Sequence, residues 1–245
     1  MTLLTSAGTV FAREIGPTLR NPLGLAFTMT ESVVFLLLFG PLLGGPQSWD
    51  WFVPGILVML ALFGTTAAGY GLLIEMAGGS LERMLVTPLN RTAMLIGRTF
   101  KEVATLLGQA VLIIAAMLPF GLRPDPVGTL AGLALLTVFG IGLGGLAFAL
   151  AMAAKRQHEI FYGVQQVVLF PLVLLSGVLL PVEHAPGWLR ALSAANPVTY
   201  LVDAERALFA GELGGAAAGY GALSAAAIAA IGLALGTRSM RRATL

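Results

Sequence analysis

Six stretches of the chain, near 23–43, 52–74, 93–119, 127–153, 160–180 and 217–236, are mostly apolar over about 20 residues or more. Lipid offers the backbone no hydrogen bonds, so an apolar run of that length is stable in a membrane only as a helix. The expected fold is therefore an all-α membrane protein with six transmembrane helices. Composition agrees: 57% of the residues are hydrophobic and 11% charged, whereas a soluble domain carries about 25% charged residues.

The same composition removes several kinds of function. Cysteine is absent, which rules out disulfides, thiolate metal sites and cysteine nucleophiles. Only His158 and His184 offer imidazole, too little for a histidine-based metal site. The net charge is +2, and the basic residues are dispersed rather than clustered into a nucleic-acid footprint.

Basic residues set the orientation. With six spans and a cytoplasmic N-terminus, 11 of the lysines and arginines fall inside and 3 outside. Both termini and the 75–92 and 154–159 loops are expected on the cytoplasmic side. Residues 1–22, "MTLLTSAGTVFAREIGPTLRNP", lack the order of a cleavable signal peptide. Arg13, Glu14 and Arg20 interleave with Leu3, Leu4, Val10, Phe11, Ile15 and Leu19, a pattern that suits an amphipathic helix on the membrane interface, the alternative being a frayed cytoplasmic tail. The spans then make up one domain, 23–245. Inside it, Gly128/Gly132, Gly140/Gly144 and Gly232/Gly236 have the spacing that lets membrane helices approach closely.

The charged segment between spans 2 and 3 is organised. Gly78-Gly79 permits a tight turn, Ser80 is placed to cap a short helix, and Glu82 lies near its positive end. Pro88 disfavours helix at Thr87, so a helix of about 80–87 ends there. Leu81 and Leu85 share one face, while Glu82 and Arg83 project from others. Spacing alone leaves two readings, a solvated loop or a docking element.

The residues "GGSLERMLVTPLNR", 78–91, are similar to the Gly-Thr-Leu-Glu-x-Leu-Leu-x-Thr-Pro-x-x-Arg signature of type-2 ABC exporter permeases. The later "SGVLLPVEHAPGWLRALSAANPVTY" resembles that family's C-terminal signature, and the daunorubicin-resistance-like permeases in particular. This sequence departs from the pattern at Met76, Ser80 and Met84. The resemblance implies a prokaryotic inner-membrane permease that pairs with a second copy and binds two ABC ATPase subunits. It implies that 80–87 is a coupling helix, with Gly79, Ser80, Leu81, Glu82, Arg83, Leu85, Thr87, Pro88 and Arg91 meeting the ATPase beside Arg13, Glu14 and Arg20. Magnesium and ATP would belong to that partner, and this chain would hold no cofactor.

Energy must come from elsewhere, because Lys101 and Lys155 are the only lysines and neither stands in a P-loop. The chain is not expected to be catalytic. Glu31 sits inside the first span, where an ionisable residue marks a site. It suits a substrate path, a pairing with an inner basic residue, or the proton carrier of a secondary transporter, the competing function. Ser176 lies at the far end of a span from His158 and better suits a structural hydrogen bond than a protease nucleophile. The His158-Glu159 pair lacks the second histidine of a zinc-protease helix.

Pro181, Pro186 and Pro197 break the 181–216 segment into short pieces. Trp188 and Tyr200 suit the membrane interface. The segment reads either as an external cap or, as the resemblance implies, as re-entrant half-helices forming an outer gate, with Asn196 and Pro197 at a turn. Walls of Leu, Val, Phe and Met suit an amphipathic drug, lipid or lipid-linked cargo.

Overall fold

Helix starts are written into the sequence three times in one form. Asn21-Pro22, Asp125-Pro126 and Asn196-Pro197 each place a capping side chain before a proline at the first helical position. The Asn21, Asp125 and Asn196 side chains accept from the amides of Gly24, Gly128 and Val198 at 2.9, 2.7 and 3.0 Å. Proline costs nothing there, since its missing N–H would have had no intrahelical partner.

The structure is a computed structural model and describes residues 3–43, 47–78, 91–154, 158–182 and 185–242. The 79–90 segment, which holds the expected coupling helix and its Gly79, Ser80, Leu81, Glu82, Arg83, Leu85, Thr87 and Pro88, lies outside the described residues. Among those described there are nine α-helices and no strand. They are α1 (Leu3–Leu19), α2 (Pro22–Phe39), α3 (Gln47–Ala77), α4 (Arg91–Met117), α5 (Pro126–Ala153), α6 (His158–Leu175), α7 (Gly187–Ala195), α8 (Pro197–Phe209) and α9 (Ala216–Arg242).

Five of the described helices, α2, α3, α4, α5 and α9, are long and apolar enough to cross a membrane. The fifth expected run, 160–180, is shorter as a helix. Its apolar stretch, Glu159–Leu175, is 17 residues by its bounds, or about 26 Å against a hydrocarbon core of about 30 Å. Gly177 explains the early stop. Its φ of +74° is left-handed, which glycine adopts without strain, and it turns the chain at the end of α6.

The centre of the bundle is α3, which is apolar all round and buried accordingly. Phe52, Val53 and the run Ile56–Leu62 have no exposed surface. Around it stand α2, α4, α5, α6 and α8. Phe27, Leu37 and Leu38 of α2 and Leu223 and Ile231 of α9 stay exposed, as lipid-facing side chains do.

The helix α5 makes close contacts through glycine on three sides. Gly128 and Gly132 face α8, at Leu208 and Glu205, while Gly140 and Gly144 face Leu106 and Thr99 of α4. Gly142 and Gly145 lie against Gly232 of α9, and Gly236 of α9 lies against Gly145. Two of the expected glycine pairs thus serve α8 and α4, and the third, Gly232/Gly236, packs on α5 through glycines that the spacing argument did not single out.

At the N-terminus, α1 forms as the pattern requires, and it docks on protein as well. Ala7 and Val10 are buried against α4 at Gly97, where an added Cβ would meet the Ala7 carbonyl oxygen and the Val10 Cβ at 2.7 Å.

Candidate functional site

Two polar regions occupy opposite ends of the bundle. At the end where α1 meets α4, the Arg98 guanidinium lies 3.5 Å from the Glu14 carboxylate, and Lys101 Nζ lies 2.7 Å from Glu102. Arg98 is almost fully buried. The C-terminal part of α9 reaches the same end, with Gly236 close to Leu95 of α4. Arg13 and Arg20 of the same N-terminal segment are exposed, and Arg91 is the first residue of α4.

A cleft of about 340 Å3 begins at Glu14 and Arg98 and runs between the α1–α2 elbow and α4. At its inner limit Gln109 Nε2 donates to Thr28 Oγ1 at 2.7 Å and to the Leu25 carbonyl at 3.3 Å. This satisfies a buried amide and ties α4 to α2. Gln109 and Glu102 were not among the expected site residues. Their signal was polar residues recurring at helical spacing, from Arg98 through Glu102 and Thr105 to Gln109, on a span otherwise apolar.

At the other end, α7 and α8 form a helix pair that turns at Asn196, where the resemblance puts a turn. Pro186 precedes α7 and Pro197 begins α8. Besides capping α8, Asn196 donates from Nδ2 to the Leu172 carbonyl of α6 at 2.8 Å. Tyr200 donates to the Ala194 carbonyl at 2.7 Å, and Trp188 is exposed on the outside of the pair. Ser176 is buried and donates to the Val173 carbonyl at 2.7 Å. His158 begins the same helix, about 27 Å away at 1.5 Å per residue, so the two make no catalytic pair.

The pair is fastened by Arg206. Its Nε donates to the Trp51 carbonyl at 3.0 Å and its Nη2 to the Gly177 carbonyl at 2.8 Å. The guanidinium lies over the Trp51 ring, 3.7 Å from the centroid, and Asp203 is 3.9 Å from Nη1. These groups surround a pocket of about 320 Å3 that also touches Ser176, Pro181 and Tyr200. Arg206 is one of the 3 basic residues, with Arg123 and Arg190, that the six-span orientation puts outside.

Glu205 has no such partners. It is fully buried between α8 and Gly132 of α5, and neither carboxylate oxygen finds a hydrogen bond among the described residues. The α5 and α9 faces packed on α8 carry no charge at this end except Asp125, which caps α5. On α8 itself Asp203 is half-exposed and Arg206 is engaged with Trp51 and Gly177.

Glu31 lines neither polar region. It borders a third, apolar cavity of about 250 Å3 between α2, α3 and α6. Among the described residues no group of three or more acids and histidines is arranged to hold a metal.

Residues 5–210 match the family described as ABC-2 type transporter. The daunorubicin resistance ABC transporter permease protein DrrB1 of Streptomyces coeruleorubidus is 26% identical over 201 residues, covering 79% of this chain and 71% of that protein. The probable multidrug ABC transporter permease YbhR of Escherichia coli K12 is 27% identical over 167 residues, 66% of this chain and 44% of that protein. The probable doxorubicin resistance ABC transporter permease protein DrrC of Mycobacterium tuberculosis H37Rv is 28% identical over 156 residues, 63% of this chain and 56% of that protein. The matched part of this chain thus spans about half the length of the last two.

Proposed function

The chain belongs to the ABC-2 type transporter family, and from that premise we propose that it is the membrane permease subunit of an ATP-driven exporter. The observation that carries the reading is the extent of the match, 5–210, which runs unbroken from α1 to the end of α8. It takes in both polar ends of the bundle and the 79–90 segment between α3 and α4.

In this reading α6 is a sixth span, so that both termini lie on the cytoplasmic side of a prokaryotic inner membrane, the side richer in lysine and arginine. Two copies of the chain and two ABC ATPase subunits form the transporter. The 79–90 segment and α1 meet the ATPase, while α7 and α8 are re-entrant half-helices that close the outer end of the path. The ATPase carries ATP and magnesium, since this chain has no P-loop lysine. An amphipathic or lipid-like cargo enters from the cytoplasm or inner leaflet, and nucleotide-driven closure of the ATPase pair is transmitted through the coupling helix.

The test is co-reconstitution with the ATPase encoded by the neighbouring reading frame. Glu82→Ala and Pro88→Ala are expected to cut transport about tenfold, equivalent to about 1.4 kcal/mol of coupling, while ATP hydrolysis continues. Unchanged transport by both variants would remove the coupling assignment. Failure of the ATPase to co-purify with the parent chain would remove the exporter reading itself.

A further inference from the structure

We propose that the last turns of α9 bind the phosphate headgroup of an anionic phospholipid, in the leaflet where that helix ends. The proposal goes beyond the exporter reading and needs only that α9 crosses a membrane.

The two sides of α9 differ. Gly221, Ala225, Gly232 and Gly236 are buried, and Gly232 and Gly236 lie on α5. On the opposite side Tyr220, Leu223, Ala227, Ile231, Leu235 and Arg238 are all exposed. They recur every three or four residues, which keeps them on one stripe of the helix. On a helix long and apolar enough to span, the apolar part of such a stripe is a surface for lipid.

The ends of the stripe match the edges of a bilayer. Tyr220 packs near Tyr200, with ring centroids 6.1 Å apart, and tyrosines collect at the membrane interface. From Tyr220 to Arg238 the helix rises about 27 Å, against a hydrocarbon core of about 30 Å. Arg238 therefore leaves the apolar layer at headgroup depth, on the side that faces lipid. Arg241 and Arg242 follow one turn further on, in the same register. Residues 216–245 contain no acid, so the charge on this element is wholly positive.

Arginine suits a phosphate ligand. Its planar fork donates two parallel hydrogen bonds to phosphate oxygens, and its weak hydration suits the edge of an apolar layer. Basic residues beside an anionic leaflet add their attractions. The exposed Leu235 and Ile231, on the membrane side of Arg238, would take the upper part of the acyl chains. One stripe then reads both headgroup and chain. A soluble acidic partner would use the charges and leave the apolar stripe idle.

The full chain is purified in dodecyl maltoside with equal amounts of phosphatidylglycerol and phosphatidylcholine, and native mass spectrometry counts the lipids it retains. Preferential retention of phosphatidylglycerol is expected. Arg238→Gln, Arg241→Gln and Arg242→Gln together are expected to lower the preference about tenfold. Arg238→Lys, Arg241→Lys and Arg242→Lys together should keep most of it, since the charge remains. Arg190→Gln removes an exposed arginine at the other end of the bundle and is expected to change nothing. Glycerol 3-phosphate, which has the phosphate and no chains, should displace the lipid only at far higher concentration than a short-chain phosphatidylglycerol. Should the triple glutamine variant be recovered poorly, Arg238→Gln alone makes the comparison, with a severalfold loss expected.

No preference in the parent, or one that survives the glutamine changes, overturns the proposal. So does an equal loss with Arg190→Gln, or displacement by glycerol 3-phosphate as easily as by the short-chain lipid. A glutamine variant that keeps its lipid and loses the ATPase on co-purification assigns the cluster to that partner instead. The lipid count involves neither ATPase nor transport, so failure of the exporter reading leaves it standing.

Discussion

Gly232→Leu is expected to yield almost no folded protein. A Cβ at Gly232 runs into the carbonyl oxygen of Gly142, and one at Gly142 meets Ala229 N and the Ile228 carbonyl at 2.7 Å. Both neighbours are backbone, which cannot swing aside as the end of a side chain does. The helices must separate, and α9 packs along α5 more extensively than any other pair in the structure. Overpacking a core costs about 1–3 kcal/mol. Here the cost is set at more than about 4 kcal/mol, because the whole interface opens instead of one side chain moving. Gly219→Leu on the same helix is the control, since nothing lies within 4 Å of a Cβ there. The fraction of monodisperse protein after extraction checks the pair. Equal recovery of the two variants refutes the backbone contact.

Arg206→Ala is the second large effect. Truncation takes the Arg206 donor from the Gly177 carbonyl, removes the second donor of the helical Trp51 carbonyl and uncovers the Trp51 ring. Hydrogen bonds to a charged donor are worth about 1.5–3 kcal/mol each, and stranded carbonyls are costlier away from water. A loss of about 3–4 kcal/mol is expected, on the same grounds. Arg206→Lys should recover little of it, since one ammonium cannot reach two carbonyls in the planar geometry of a guanidinium or stack as flatly. Thermal unfolding in detergent measures both variants. A midpoint for Arg206→Ala within error of the parent shows the fastening to be incidental.

What the sequence disclosed follows from the range of the interactions involved. The Asn196-Pro197 turn, the α1 pattern and the apolar runs are local, fixed by residues a few positions apart, and the turn, α1 and five of the six runs appear where they were expected. The length of α6 depends on one glycine, and an apolar sequence that continues to Leu180 conceals it. The glycines of α5 were visible, but so many on one helix give several equally good spacings, and only the three neighbouring helices decide which faces which. Glu205 and Glu31 show the same limit. Either is an acid in an apolar setting, but the walls around it come from helices distant in sequence. The 79–90 segment was read through its motif, and its contacts belong to the exporter proposal.

The 31 residues of α3 have a consequence of their own. At 1.5 Å per residue the helix is a strut about 46 Å long. Trp51 in its first turns carries the Arg206 fastening, and its last turn leads directly into 79–90. Under the exporter proposal, a push delivered at the 79–90 end would have a continuous covalent rod along which to arrive beneath α8, with Arg206 as the rivet at the far end. Transport-rate measurements on Arg206 variants would then report on mechanical throw as well as stability, because in that proposal a looser rivet shortens the stroke that the strut passes on.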